Sequence, residues 1–265
     1  NVRGGSVLEG NKIYNMDCLV GMKSIPSESI DLVVTDPPYK LTSRGTSGNM
    51  GGAFWTGDLA KSGEVFESGS VDISDWIDEC YRVLKNGTHI YIMTNDKNIT
   101  SYLSEIDKSG FKFVKTLVWV KPNKICGRWY MTQKETIILA RKGEQRPINN
   151  AGTSDVLFTP NFKKQKSNGK NLHDTEKPVE LLQTFVENSS NDGETVLDPF
   201  MGIGSTAVAC INTGRNYIGF ELSEEYCKIA NERISKVEST VVKNEKPQEK
   251  AEDKYNWLDE LLEVI

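Results

Sequence analysis

Ile30-Asp31-Leu32-Val33-Val34-Thr35-Asp36-Pro37-Pro38-Tyr39 joins a near-continuous β-branched run to a carboxylate, two prolines and an aromatic ring. A run of this kind marks a strand buried on both faces, and such strands belong to parallel sheets covered by helices on each side. Upstream, Lys12 to Asn15 reads as a short extended piece, and Leu19, Met22 and Ile25 recur three apart in Cys18 to Ile25, a short helix closed by Pro26. This is a β-α-β unit. Downstream the pattern repeats: Ile73 to Leu84 is an amphipathic helix, Asn86-Gly87 is expected to end it, and His89 to Met93 is a strand. A helix over Ile99 to Lys108 and strands over Phe113 to Val120 and Thr136 to Ala140 follow. A helix resumes at Pro178, read as its first residue, and a third β-α-β unit follows: strand Thr195 to Leu197, helix Ser205 to Asn212 and strand Tyr217 to Phe220. Ser223 then caps a last helix carrying Tyr226, Ile229, Ala230, Ile234 and Val237 at helical spacing. The alternation predicts an α/β fold whose ligands sit at the carboxyl ends of parallel strands.

Bulk properties remove several function classes. With 37% hydrophobic residues, 26% charged residues and no apolar run near the roughly 18 residues that span a bilayer, the chain is not expected in a membrane. Five cysteines, none in a CxxC pair, suggest a reducing cytoplasm, and with only His89 and His173 beside them no protein-bound metal is expected. Asn1 to Val7 lacks the charged start and apolar run of a signal peptide and is left out of the fold. The net charge is −5, yet residues 112–177 carry fourteen Lys or Arg against five Asp or Glu, a local excess of nine. A one-sided phosphate-binding surface has this distribution, and so does a solvated Lys-rich loop. Within it, residues 143–171 are polar and without sustained periodicity, a long irregular excursion. A charged linker is expected over residues 238–254, followed by a C-terminal amphipathic helix over residues 255–265 whose Trp257, Leu258, Leu261, Leu262 and Ile265 would dock on the chain's own domain.

Two motifs fall where a strand ends. Asp198-Pro199-Phe200-Met201-Gly202-Ile203-Gly204-Ser205-Thr206 puts two glycines and the amides of a helix N-terminus at a ligand's disposal. The glycine spacing, with Ala207 at its sixth position, is compatible with a dinucleotide fingerprint, but Asp198 would repel a pyrophosphate and attract an amine. Glu221, followed by Leu222, stands where an acid takes ribose hydroxyls. A nucleoside that also bears an amine describes S-adenosyl-L-methionine. In the second motif, Pro37 and Pro38 fix the backbone and leave the Pro37 carbonyl exposed to a ligand. Asp36 and that carbonyl can each accept one N–H of a planar amine, while Tyr39 offers a face for its ring.

With these residues in place the chain, from about Lys12 to Lys236, resembles the β-class amino methyltransferases of DNA, in which Asp-Pro-Pro-Tyr precedes the target-recognition region and the cofactor motif lies near the C-terminus. The resemblance implies a class I, Rossmann-like methyltransferase domain over residues 8–237, with 143–171 as a target-recognition insertion. It implies that Asp17 and Cys18 meet the cofactor's adenine and that Thr175, Lys177 and Pro178 line its pocket, together with Asp36, Asp198, Pro199, Phe200, Gly202, Gly204, Ser205, Thr206, Glu221 and Leu222. Catalysis is assigned to Asp36, Pro37, Pro38 and Tyr39, and contact with double-stranded DNA to Arg44, Lys121, Asn123, Lys163, Lys164 and Lys166. The Gly/Ser-rich stretch of residues 42–63 is either a lid that orders on DNA or a loop without contacts.

The function this implies is site-specific methylation of adenine N6 in DNA, the base being flipped out of the stack. Asp rather than Ser at the first motif position favours adenine. Cytosine N4, an RNA adenine, and a non-catalytic nucleic-acid-binding module stay open as alternatives, as do a homodimer and a cognate restriction endonuclease as partners.

Overall fold

A computed structural model describes residues 8–38, 71–125, 129–144, 146–159 and 176–244. Eight strands among these residues form one sheet: β1 (Lys12–Asn15), β2 (Ile30–Thr35), β3 (Leu84–Thr94), β4 (Lys112–Ile125), β5 (Thr132–Arg141), β6 (Val156–Phe158), β7 (Thr195–Asp198) and β8 (Asn216–Glu221). Their spatial order is β1-β8-β7-β2-β3-β5-β4-β6. The first five pair in parallel, β5 runs antiparallel to both β3 and β4, and β6 lies parallel to β4. Every strand except β5 therefore points the same way, so their carboxyl ends and the start of β5 share one edge.

Six helices among the described residues cover the sheet: α1 (Cys18–Met22), α2 (Ile73–Val83), α3 (Ile99–Lys108), α4 (Val179–Ser189), α5 (Ser205–Asn212) and α6 (Glu224–Asn244). Alternation along the strands sends side chains to opposite faces. Val33, Ile90 and Ile92 meet Met22, Trp76, Ile77, Cys80 and Ile106 of the first three helices, while Leu32, Val34 and Met93 meet Leu181, Phe185, Ala209 and Ile234 of the last three. Burial on both sides explains the unbroken apolar run of β2, all six of whose residues are buried.

Four expectations change. Asn86-Gly87 does not stop α2, which ends at Val83, with Leu84 extended and already in β3. The pair instead forms a bulge: Ile30 pairs with Leu84 but Leu32 with His89, and Gly87 takes a φ of +81° and donates its N–H to the Lys142 carbonyl at 2.8 Å. The polar excursion contributes β6 to the sheet edge, held by Val118 N–H on the Asp155 carbonyl at 2.8 Å. Strands β4 and β5 run past the last β3 pairing, Thr94 with Thr136, as a projecting hairpin in which Val120 pairs with Lys134 and Ile125 with Thr132. Finally, α6 continues to Asn244, beyond the expected start of the linker at residue 238, with Ser223 Oγ accepting from Tyr226 N–H at 3.3 Å at its start. The C-terminal stripe from Trp257 and the stretch of residues 42–63 lie outside the described residues. No described helix is long and apolar enough to cross a membrane.

Candidate active site

The acids singled out from the sequence gather on the shared edge, each at the end of a neighbouring strand. Asn15 pairs with Glu221, Asp198 ends the adjacent β7, and Asp36 follows β2. Glu221 is bound at both oxygens, Oε2 accepting from Gly202 N–H at 2.9 Å and Oε1 from Ser223 N–H at 2.8 Å, and burial raises its pKa. Asn15 bridges the same corner by donating to the Glu221 and Leu222 carbonyls, both at 2.9 Å. Asp17 caps α1, its Oδ1 accepting from Leu19 N–H at 2.6 Å, while burial and then Asp17 push the Cys18 thiol up to about 12. Cys18 is therefore uncharged and buried.

The glycine loop is built by Asp198. Its Oδ1 accepts from Phe200 N–H at 3.0 Å and its Oδ2 from Thr206 Oγ1 at 2.6 Å, so the carboxyl fixes both the turn after β7 and the first residues of α5. Burial pushes its pKa up to about 7 against those bonds. Phe200 packs edge-on against Trp76, with ring centroids 5.5 Å apart. Gly202 and Gly204 both have positive φ, +54° and +83°, but for different neighbours. A Cβ on Gly204 would lie 3.0 Å from the Ala230 Cβ of α6, whereas one on Gly202 would meet nothing within 4 Å and would project into open space.

Asp36 stands in a chain of alternating charges. One carboxylate oxygen, Oδ2, is ion-paired with Lys177, and the other, Oδ1, is buried without a hydrogen-bond partner. The Lys177 ammonium also lies 3.4 Å from Glu135 Oε2, and the opposite oxygen of Glu135 pairs with Lys121. Burial raises the Asp36 pKa, with the ammonium of Lys177 opposing it and the charge of Glu135 reinforcing it. Glu135 is also buried, which alone would raise it, but Lys177 and Lys121 on either side hold it below the usual carboxylate range. Pro37 is buried and Pro38 half-buried beside this cluster, and Pro178 caps α4 directly after Lys177.

Glu135 and Arg233 were not anticipated. Glu135 is the lone acid in residues 112–143, and an isolated acid in so basic a run is the signal that marks it. Arg233 pairs with Glu176 at 2.9 Å and donates to the Ile203 carbonyl at 2.9 Å, tying the segment before Lys177 to the glycine loop. Lys121 is a correction. Expected to reach DNA, it is instead mostly buried, paired with Glu135 and 5.3 Å above the Trp119 ring, because its place opposite the start of β5 turns it into the site. Tyr39, Arg44, Lys163, Lys164, Lys166, Thr175 and the side chain of Asn123 lie outside the described residues.

A doubly covered sheet with nucleoside-type acids at its carboxyl edge and a glycine loop opening α5 defines the class I, S-adenosylmethionine-dependent methyltransferase fold. The sequence profile of a family described as DNA methylase matches residues 30–232. The chain belongs to that family. It is 29% identical over 255 residues to the Type II methyltransferase M2.DpnII of Streptococcus pneumoniae, covering 87% of this chain and 94% of that protein. Among solved structures, the M1.HpyAVI-SAM complex superposes with a TM-score of 0.61 at 23% identity, over 84% of this chain and 98% of that one. The cytosine-N4-specific PvuII DNA methyltransferase superposes at 0.64 with 18% identity, over 90% and 95%.

Proposed function

We propose that the protein methylates the exocyclic N6 amine of an adenine flipped out of double-stranded DNA, using S-adenosyl-L-methionine. The observation that carries this reading is the buried, unpartnered Oδ1 of Asp36. Lys177 holds the other oxygen, so the carboxylate is oriented and one acceptor is left for an incoming N–H. The Pro37 carbonyl accepts the second N–H, and the amine so held is turned out of conjugation with its ring, its lone pair free to attack. Burial makes Asp36 a stronger base than an exposed Asp, suited to receiving at Oδ1 the proton the amine sheds.

The residues present fit the cofactor. Asp198 and Glu221 are both raised by burial, which means their negative charge is incompletely compensated and favours a cationic ligand over a pyrophosphate. The open space before Gly202 admits a ligand against the backbone. Glu221 would take the ribose hydroxyls, with Asp17 and Cys18 beside the adenine ring and Asp198 beside the amino group. S-adenosylmethionine supplies a methyl group on a positively charged sulfur.

Residues 143–171 form the target-recognition part of this reading, and Lys163, Lys164 and Lys166 its phosphate contacts. Replacing all three by Ala should weaken DNA binding and flatten its dependence on salt, because fewer counterions are released. The enzyme would work in the cytoplasm, where DNA is in reach; a homodimer would show in sedimentation, and a companion endonuclease in the cleavage pattern of unmethylated DNA. Tritiated methyl transfer to unmethylated plasmid DNA, followed by hydrolysis and separation of the labelled bases, tests the whole. Label in adenine with wild-type protein and none with Asp36→Ala, at unchanged cofactor affinity, is expected. Label confined to cytosine would transfer the assignment to N4, the chemistry of the PvuII enzyme on this fold.

A further inference from the structure

Asp36 Oδ1 is not the only buried polar atom left unbonded at this edge of the sheet. The Thr94 hydroxyl at the end of β3 and the side-chain nitrogen of Asn98, just before α3, are also buried without a hydrogen-bond partner, and Thr94 as a whole is 1% exposed. Register and alternation place the two together. Thr35, the residue before Asp36, pairs with Ile92, so the end of β3 and the loop after it run on beside Asp36. Thr94 alternates with Ile90 and Ile92, whose side chains lie on the face covered by α1, α2 and α3, and Asn98 leads into α3 on that face. One turn along α3, Tyr102 donates its N–H to the Asn98 carbonyl at 3.0 Å, and its pKa is raised by burial and then by the charge of Asp36. The loop itself is fixed: Asn95 Oδ1 accepts from Lys97 N–H at 3.0 Å and from Asn98 N–H at 3.1 Å, and Lys134 of β5 pairs with Asp96 at 2.6 Å. An Asn before a helix ordinarily turns its side chain onto the first free amides. Asn98 instead has a helical backbone, with φ −96° and ψ −15°, and makes no capping bond. A buried donor without an acceptor destabilises the free protein, and a fixed loop that keeps one is suited to a ligand that brings the acceptor.

We infer that Asn98 binds the target base, its Nδ2–H donating to the ring nitrogen next to the carbon that bears the amine, N1 of adenine. This rests on the proposed methylation of DNA. With Asp36 and the Pro37 carbonyl taking the two amine hydrogens, a flipped adenine keeps one acceptor on its Watson–Crick edge, and Asn98 replaces the donor that the paired thymine gave up. Guanine carries an N–H at that ring position and would set donor against donor. Cytosine presents the same acceptor beside its amine, at N3, so the contact selects an amine next to a ring acceptor.

The experiment pairs activity with stability. Tritium incorporation from labelled S-adenosylmethionine into unmethylated plasmid DNA is measured for wild-type protein, Asn98→Ala and Asn98→Asp, with thermal unfolding of each ligand-free protein and calorimetric titration of the cofactor. Without the donor the base acceptor is left unpaired, so Asn98→Ala should lower kcat/KM about 5- to 150-fold. Asn98→Asp keeps the size and sets a carboxylate against the ring nitrogen, and should lose at least as much. Because the donor has no partner in the free protein, Asn98→Ala should unfold at or above the wild-type temperature and bind the cofactor as tightly. A residue that only shapes the start of α3 would lower the unfolding temperature together with the activity. That result, or wild-type kcat/KM in Asn98→Ala, would overturn the contact and leave the methyltransferase reading intact. Wild-type protein that labels neither adenine nor cytosine would refute the methylation reading and the contact with it.

Discussion

Replacing Lys177 by Met keeps the length of the side chain and removes its charge, and the consequences follow from what surrounds it. Lys177 is buried between Asp36 and Glu135. Glu135 keeps Lys121 when Lys177 is gone, but Asp36 loses its ion-pair partner and still faces the negative charge of Glu135. Asp198 at the end of β7 and Tyr102 on α3 also sense Asp36 without supplying a positive charge, which leaves Lys121 to oppose the rise. An opposite charge at contact distance lowers a carboxyl pKa, so its loss should raise Asp36 further above its already elevated position. The carboxylate must be ionised to accept the amine proton, and activity is lost as pH falls through its pKa. The acid limb of kcat/KM against pH should therefore move to higher pH, the variant losing activity on the acid side and regaining it as pH rises. Stability gives a second reading. Breaking a buried pair costs about 3–5 kcal/mol, but Asp36 can escape by taking a proton, so thermal unfolding should show the deficit at pH 8 and little of it at pH 5. An unmoved limb accompanied by a higher KM for the cofactor would refute the orienting role and reduce Lys177 to a pocket wall.

Asp198 titrates near 7 in the ligand-free protein and an approaching cation should lower it, so cofactor binding near pH 7 should release a proton. Calorimetry in buffers of different ionisation heat measures this directly, and equal heats in all buffers would exclude it. Its raised folded pKa should also make the free protein lose stability as pH rises from about 4 through about 7, a slope that Asp198→Asn should flatten in thermal unfolding. The two loop glycines should separate fold from ligand. Gly204→Ala combines a left-handed backbone with a 3.0 Å approach to Ala230 and should cost about 2–4 kcal/mol of stability, whereas Gly202→Ala has room and should cost about 1–2. In cofactor titrations the order should reverse, because the new methyl at position 202 projects into the open space before the loop.

What the sequence disclosed follows a physical rule. Elements whose apolar residues keep one period from end to end were legible to the residue: β2 over Ile30–Thr35, α3 over Ile99–Lys108 and α5 over Ser205–Asn212. Where the outcome depends on a partner strand, the reading failed. Three residues, Val156–Phe158, contain too little pattern to declare a strand until β4 lies beside them, and Asn86-Gly87 looks like a helix stop until the register of β2 and β3 shows a bulge. The site divides the same way. Asp36, Asp198 and Glu221 stand at the ends of strands that their own neighbours announce, so their gathering was readable. Glu135 and Arg233 act through ion pairs made across the fold, and no local spacing announces those.

The misplacement of Lys121 shows how charge and topology combine. A Lys in a stretch with nine excess positive charges reads as a phosphate contact, and composition alone supports that reading. Yet β5 is the one described strand that runs against the others, so its beginning, rather than its end, lies on the edge where Asp36 follows β2. An acid near the start of β5 thereby enters the site, and the lysine across the hairpin from it is drawn in as well. Two cations and two anions then alternate from Lys121 to Asp36, and the cluster is neutral as a unit. That neutrality is what permits a buried carboxylate at position 36 to keep one oxygen unbonded without expelling its charge, and a base of this kind is what an amine must find when it arrives. The basic stretch therefore divides: Lys121 and Lys177 compensate Asp36 from within, and the proposed phosphate contacts fall to cations outside that chain.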